Sequence, residues 1–455
     1  MADRGRAVAA LGAGGVALGI LVPAALERAF WQDEVASARV ISEPTLPGAL
    51  HVIAARESTP PAWYLLVWVG HQAGLSFVAL RFLSVAFIAG LVALAVVAAW
   101  ELLPPFAAFA VGLVLALSGQ LVFHGAELRA YALLALLSLC FALVLEAAAR
   151  DPRGRRLALL AACVALGSTV HYFFLSTVAG GFVWICTERD LRGSRRRLTV
   201  AVAVGLAALA PWLPAIGGQV RHGYYAWIGS FDLLKVADSY AVLFESPSSL
   251  YARGVSGVGS ASLLTLQLAV CALVLTGFVL LWRRSSRGRL WAQLGVVPVA
   301  LAAVLWLAGL HVFDGRNLVG VAPFAATAAI AALVALPRPS SRVAVAAAVA
   351  LSATALAITP PSTPPYDRLA RTLVRDGWDS GDSLQFLPDG PALRSPLTWY
   401  LKSGSADAGR VPSLRPDYMV AERSYWSRLR PRLPQHSRRQ QVGPFVVVTL
   451  PHSRA

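Results

Sequence analysis

FWQDE, residues 30 to 34, sets two adjacent carboxylates, Asp33 and Glu34, directly after a long apolar run. A carboxylate held at a membrane surface can take a proton from an incoming hydroxyl. Further on, HGAELRAYALL (124 to 134) groups His124, Glu127, Arg129 and Tyr131, STVHYFFL (168 to 175) carries His171 and Tyr172, and HVFDGRNLVGVAPF (311 to 324) carries Asp314 and Arg316. Cations and N–H donors held in place stabilise growing negative charge. Each group also has a plain structural reading. Asp33 and Glu34 can mark a solvated helix end, and Arg129 and Tyr131 can anchor a span, by snorkelling and by an amphipathic ring respectively. Asp314 and Arg316 can simply pair. His171, between two short apolar runs, is either a loop tip or a residue reaching into a cavity. His124 and Glu127, three apart, could join Asp33 and Glu34 in an oxygen-rich site for a divalent cation, although incidental spacing is the simpler account.

The elements that must position these residues are membrane spans. The 455 residues are 57% hydrophobic and only 14% charged, with a mean hydropathy of +0.61, too apolar for a soluble chain of this length. The net charge of +16 could suggest nucleic acid, but the arginines fall in short clusters between apolar runs, as in membrane loops, and a nucleic-acid partner is not expected. Cys140, Cys163, Cys186 and Cys271 all lie inside apolar runs without ligand spacing, which argues against disulfides and zinc–cysteine sites.

A crossing takes about 20 apolar residues. Cut by that length, the chain yields eleven spans: 8 to 27, 79 to 100, 105 to 123, 130 to 149, 157 to 170, 172 to 187, 199 to 216, 262 to 282, 290 to 310, 317 to 336 and 342 to 359. Arg4 and Arg6 precede the first, but no convincing cleavage site follows, so it reads as a retained anchor. Loops 150 to 156, 188 to 197, 282 to 289 and 337 to 342 are arginine-rich and therefore cytoplasmic by the positive-inside rule. The amino terminus is then cytoplasmic, and residues 28 to 78, 124 to 129, 168 to 172, 217 to 261, 311 to 317 and 360 to 455 face outside. Every candidate residue above falls on that outer face.

Within the outer loop 28 to 78, Pro60, Pro61, Trp63, Tyr64 and Trp68 suit helices lying in the interface. Loop 217 to 261 is dense in aromatics, a composition suited either to an amphipathic surface or to sugar and lipid contact. The tail alternates short strand-like and helix-like pieces, DSLQFL (382 to 387), SPLTWYLK (395 to 402), SYWSRLRPRL (424 to 433) and PFVVVTL (444 to 450), and is expected to be a small α/β domain. No P-loop is present, so a soluble nucleotide donor has no visible site.

An outer loop opening on FWQDE, followed by TPPAWYLL, an arginine at the start of the next span (Arg81), then HGAELRAYALL and STVHYFFL, resembles the polytopic GT-C glycosyltransferases. It is most similar to the protein O-mannosyltransferase and aminoarabinose-transferase branch. The resemblance covers about the first 360 residues and implies a GT-C membrane domain at 1 to 360, with an extracytoplasmic α/β domain at 361 to 455. It further implies transfer of a sugar from a polyprenyl-phosphate donor, drawn from membrane lipid, to a hydroxyl of a cell-envelope glycan, lipid or protein. Asp33 would be the base and Glu34 would orient it or the acceptor, in an inverting displacement. Arg129, His171 and Arg316 would hold the donor phosphate, with His124, Glu127, Tyr131 and Tyr172 lining the cavity. No cofactor is implied beyond the open question of a divalent metal ion. The rival is a transporter or flippase of a lipid-linked or small substrate, but transporters show repeats and midplane charges, whereas these charges gather at one face. A non-catalytic scaffold would leave Asp33 dispensable.

Overall fold

In lipid every backbone polar group must be satisfied within its own segment, so long apolar runs fold as helices. The computed structural model describes residues 2 to 221, 228, 239 to 244, 260 to 310, 312 to 358, 363 to 378, 384 to 387, 391 to 401, 418 to 423, 426 and 437 to 450. Most of the aromatic loop 217 to 261 and of the piece 424 to 433 lie outside them.

α1 (Ala2–Glu27) opens the chain, followed by α2 (Gln32–Ile41), α3 (Leu46–Arg56) and α4 (Ala62–Gln72). These three have 10, 11 and 11 residues, well under the roughly 20 of a crossing. Next come α5 (Phe77–Ala99), α6 (Pro105–Ala116), α7 (Gly119–Gly125), α8 (Tyr131–Arg150), α9 (Gly154–Val170) and α10 (Phe174–Thr187). The helical series continues through α11 (Arg195–Ala207), α12 (Leu213–Arg221), α13 (Ser260–Arg284), α14 (Ser286–Leu307), α15 (Ala322–Val334) and α16 (Ser340–Ile358).

Among the described residues, eight helical stretches are long and apolar enough to cross a membrane, and α6 with α7, bent by 59°, makes a ninth if the pair is one span. The chain is a polytopic helical membrane protein. The sequence leads to eleven spans, and the difference lies at 157 to 170 and 172 to 187. These runs fold as the shorter apolar helices α9 and α10, of 17 and 14 residues. Serine hydroxyls cap several starts: Ser76, Ser118 and Ser285 accept from the amides of Ala79, Leu121 and Gly288 at 3.1, 3.2 and 3.0 Å, each worth about 1 kcal/mol. Small residues let helices approach closely. At Gly277 of α13 a Cβ would overlap the backbone of Ala328 in α15.

The chain divides into two compact units, one of Met1–Leu26 with Val40–Pro361 and one of Glu27–Arg39 with Ser362–Ala455. The second holds α17 (Tyr366–Arg375), α18 (Pro391–Tyr400) and a four-stranded sheet of β1 (Leu384–Leu387), β2 (Tyr418–Glu422), β3 (Arg438–Val442) and β4 (Phe445–Thr449) in the order β1-β2-β4-β3. β1 runs parallel to β2, and the other pairings are antiparallel. Phe445 and Val447 pack with Leu369 and Leu373 of α17 and Leu397 of α18, while Val446 and Val448 pack with Ala421 and Trp426. β4 is thus buried on both faces, as its unbroken FVVV run requires. The Asp-Glu segment belongs to this unit: Phe30 donates its amide to the Tyr400 hydroxyl at 2.6 Å, Thr363 donates its hydroxyl to the Ala29 carbonyl at 2.8 Å, and Trp31 packs on the Leu369 core.

Candidate active site

Asp33 and Glu34 stand in the first turn of α2, where carboxylates favour the positive end of a helix dipole. Asp33 is partly exposed and Glu34 is fully buried, so the two acids differ in environment. A solvated helix end would expose both.

In the helical unit, buried polar side chains converge from three turns. The first is the end of the bent pair α6 and α7, where Ser84 donates to the Glu127 carbonyl at 2.7 Å and fixes the 126 to 129 turn. Glu127, fully buried, accepts from His124 Nδ1 at 2.5 Å, and the Gln120 amide meets the other ring nitrogen at 3.0 Å. The second is the turn between α9 and α10. It is tight because Gly167 has no Cβ, which would overlap the Phe174 ring; His171 there is 3% exposed. The third is the 3-10 turn Gly315–Val321, capped by Asp314, which accepts from the Arg316 amide at 3.1 Å and pairs with its Nε at 3.3 Å. The loop ion pair is therefore present.

Tyr131 links the first two turns, its ring 4.5 Å from that of His124 and 5.3 Å from that of His171. Arg129 is buried and donates to the Tyr64 hydroxyl at 2.8 Å and to Glu57 at 3.4 Å, while Tyr64 donates to Glu57 at 2.5 Å. Burial holds the Tyr64 hydroxyl well above its usual range, with Glu57 adding to the effect and Arg129 opposing it. Tyr64 therefore remains a protonated donor.

His171 is the odd member. Its Nδ1 accepts the Phe173 amide at 3.2 Å, which assigns the proton of the neutral ring to Nε2. That Nε2 is buried and has no protein partner. Burial foremost, then the charges of Arg129, His124 and Arg316, holds its pKa down to about 3. At neutral pH, His171 is an uncharged N–H donor among cations, and leaving such a donor unsatisfied costs about 1–3 kcal/mol. An N–H so placed can donate to an anionic oxygen. Tyr172 instead turns to α12, bonding Gln219 at 2.7 Å and Trp212 at 3.0 Å.

Among the described residues, no three His, Cys, Asp or Glu side chains gather to hold a metal ion. Both nitrogens of His124 are engaged, by Gln120 and Glu127.

No family model and no curated protein matches the sequence. Solved structures do match. Apo ArnT from Cupriavidus metallidurans aligns over 95% of this chain and 96% of its own, with a TM-score of 0.57 at 13% identity. The same protein bound to undecaprenyl phosphate aligns over 96% and 97%, with a TM-score of 0.50 at 14% identity. The Archaeoglobus fulgidus oligosaccharyltransferase in complex with Zn and sulfate aligns over 91% of this chain and 68% of its own, with a TM-score of 0.52 at 10% identity. The chain has a GT-C fold. Reasoning from sequence missed two residues in this GT-C chain, Glu57 and Tyr64. The signal was faint: a lone acid just before Pro60-Pro61, and a tyrosine whose aromatic neighbours gave it an interfacial reading.

Proposed function

We propose that this GT-C chain is a membrane glycosyltransferase that moves a sugar from a polyprenyl-phosphate donor to an acceptor hydroxyl on the extracytoplasmic face. The observation that carries this is the buried, unpartnered N–H of His171 beside Arg129 and Arg316, a set suited to a phosphate oxygen. Its support is the similar fold of ArnT, a protein crystallised with undecaprenyl phosphate.

The acceptor oxygen attacks the anomeric carbon, the bond from that carbon to the phosphate oxygen breaks, and one displacement inverts the centre. The departing polyprenyl phosphate gains negative charge, which Arg129 and Arg316 balance and to which the neutral His171 N–H donates. Glu57 and Tyr64 hold Arg129 in place. Asp33 takes the hydroxyl proton, and the buried Glu34 orients it or the acceptor. In this proposal the amino terminus is cytoplasmic and residues 361 to 455 form an extracytoplasmic domain.

Asp33→Asn tests the assignment, since the amide keeps the shape but cannot accept the proton. Transfer from a polyprenyl-phosphate sugar is expected to fall by about 10²- to 10⁴-fold, with folded yield and donor binding preserved. Transfer within a few-fold of the native protein returns Asp33 to a helix-end role. Glu34→Gln is expected to cost less.

A further inference from the structure

The second unit carries a basic groove that the transfer reaction does not use. Helix α17 places Arg368, Arg371 and Arg375 along one exposed face. Opposite them runs the edge strand β3, with Gln440 directed to the same side as Val442, which packs on the α17 core. These side chains line one concavity together with Thr372 and Gly443. Gly443, at φ 57°, makes the β3–β4 turn and closes one end against Pro365, which a Cβ there would meet at 2.9 Å.

The charge around the groove is not balanced. Among the described residues, two carboxylates near it are engaged: Asp367 accepts from Arg371 at 2.6 Å, and Asp376 faces Arg438 at 3.9 Å. Among the described residues, Arg368 and Arg375 make no ion pair. They stand seven positions apart on the helix, a separation of about 10 Å at 1.5 Å per residue. Spaced so along the exposed face, the two guanidiniums offer two successive places for anionic groups. Guanidinium forks suit phosphate and carboxylate oxygens, and the Gln440 amide in the same concavity offers a further donor.

We infer that this groove binds a linear polyanion, a chain bearing phosphate or carboxylate groups at intervals, with successive anionic groups taken by Arg368 and Arg375. The concave, amide-lined form fits a strand of ligand better than a flat lipid surface.

The full-length protein in neutral nanodiscs is titrated with inorganic polyphosphate, with polygalacturonate, with monophosphate and with phosphatidylglycerol vesicles. Binding is expected for at least one polymer, weakened at least ten-fold in Arg368→Ala/Arg375→Ala and weakened further by added salt. The polymer that binds more tightly names the anionic group. Both positions are exposed, so thermal unfolding is expected to be unchanged, and a double Lys variant retains most of the affinity. Polymer affinity in the double Ala variant within two-fold of native overturns the proposal. So does monophosphate binding as tight as the polymer, or an arginine-dependent preference for the vesicles over both polymers.

Discussion

Two polar clusters in the helical unit make opposite use of buried charge. Around the arginine-rich turns at 188 to 195 and 285 to 289, Glu188 is 5% exposed and fully engaged. One carboxylate oxygen accepts from Ser286 at 2.8 Å and from Arg289 Nε at 2.7 Å, and the other accepts from Arg289 at 3.0 Å. Arg195 donates to the Glu188 and Ile185 carbonyls at 2.9 Å each. Glu188 is thus fully satisfied there, and the half-buried Arg287, whose Nε makes no hydrogen bond, still faces the Glu146 carboxylate at 3.2 Å. In the other, Glu57, Tyr64 and Arg129 satisfy one another but His171 Nε2 has no protein partner. Buried polar groups normally find a partner, and one that does not calls for an explanation such as a bound water, ion or ligand. The first cluster braces helices, and the second is the one proposed above to receive the donor phosphate.

The sharpest break between them comes from Arg316. If it meets the donor phosphate, Arg316→Ala loses a charge-assisted contact worth roughly 1.5–3 kcal/mol, about ten-fold to over a hundred-fold in donor affinity or rate. Arg316→Lys keeps the charge but not the planar fork and falls between. The pair with Asp314 makes a competing demand. As a brace alone, Asp314→Ala and Arg316→Ala lower folded yield equally and leave turnover per folded molecule normal. Yield and turnover measured for both variants separate the two roles.

Glu188→Ala is expected to do the reverse, lowering the free energy of unfolding by about 1.5–3 kcal/mol, a figure the part-exposure of Arg289 pulls toward its lower end. Turnover per folded molecule stays unchanged. The hydrogen bond from Arg289, foremost, holds the Glu188 carboxyl below its ordinary value of 4.5. Its stabilisation is therefore complete above pH 4.5 and is lost as pH falls through the lower folded value. Unfolding curves across acid pH should show that loss in the native protein and not in the variant.

His171→Ala carries the smallest effect, a few-fold to about ten-fold in affinity for undecaprenyl phosphate, as for a neutral hydrogen bond of about 1 kcal/mol. His171→Gln, which can still donate, is expected to recover part of it. With the pKa held to about 3, the ring stays neutral, so the ratio of native to His171→Ala affinity is flat between roughly pH 5.5 and 8. A ratio that rises on acidification would mark a cationic imidazolium instead.

Much of the fold was legible because it rests on local signals. Apolar runs such as 79 to 100 name their own helices, and the FVVV run of β4 names a strand buried on both faces. The runs 157 to 170 and 172 to 187 were legible as apolar helices too, although their lengths of 17 and 14 residues could not be read from composition alone. At the site, the types and order of Arg129, His171 and Arg316 were readable. The Glu57–Tyr64–Arg129 contact was not, since it joins positions 65 and 72 residues apart that no local period encodes. The same holds for residues 27 to 39, whose place with the tail depends on contacts such as Phe30 with Tyr400, 370 residues apart.

The most direct measurement is a structure of the full chain with undecaprenyl phosphate in a lipid nanodisc. Phosphate density within about 2.7–3.2 Å of His171 Nε2, and in contact with Arg129 or Arg316, is the predicted result. A phosphate bound elsewhere, with His171 Nε2 still unpartnered or occupied by water alone, contradicts it.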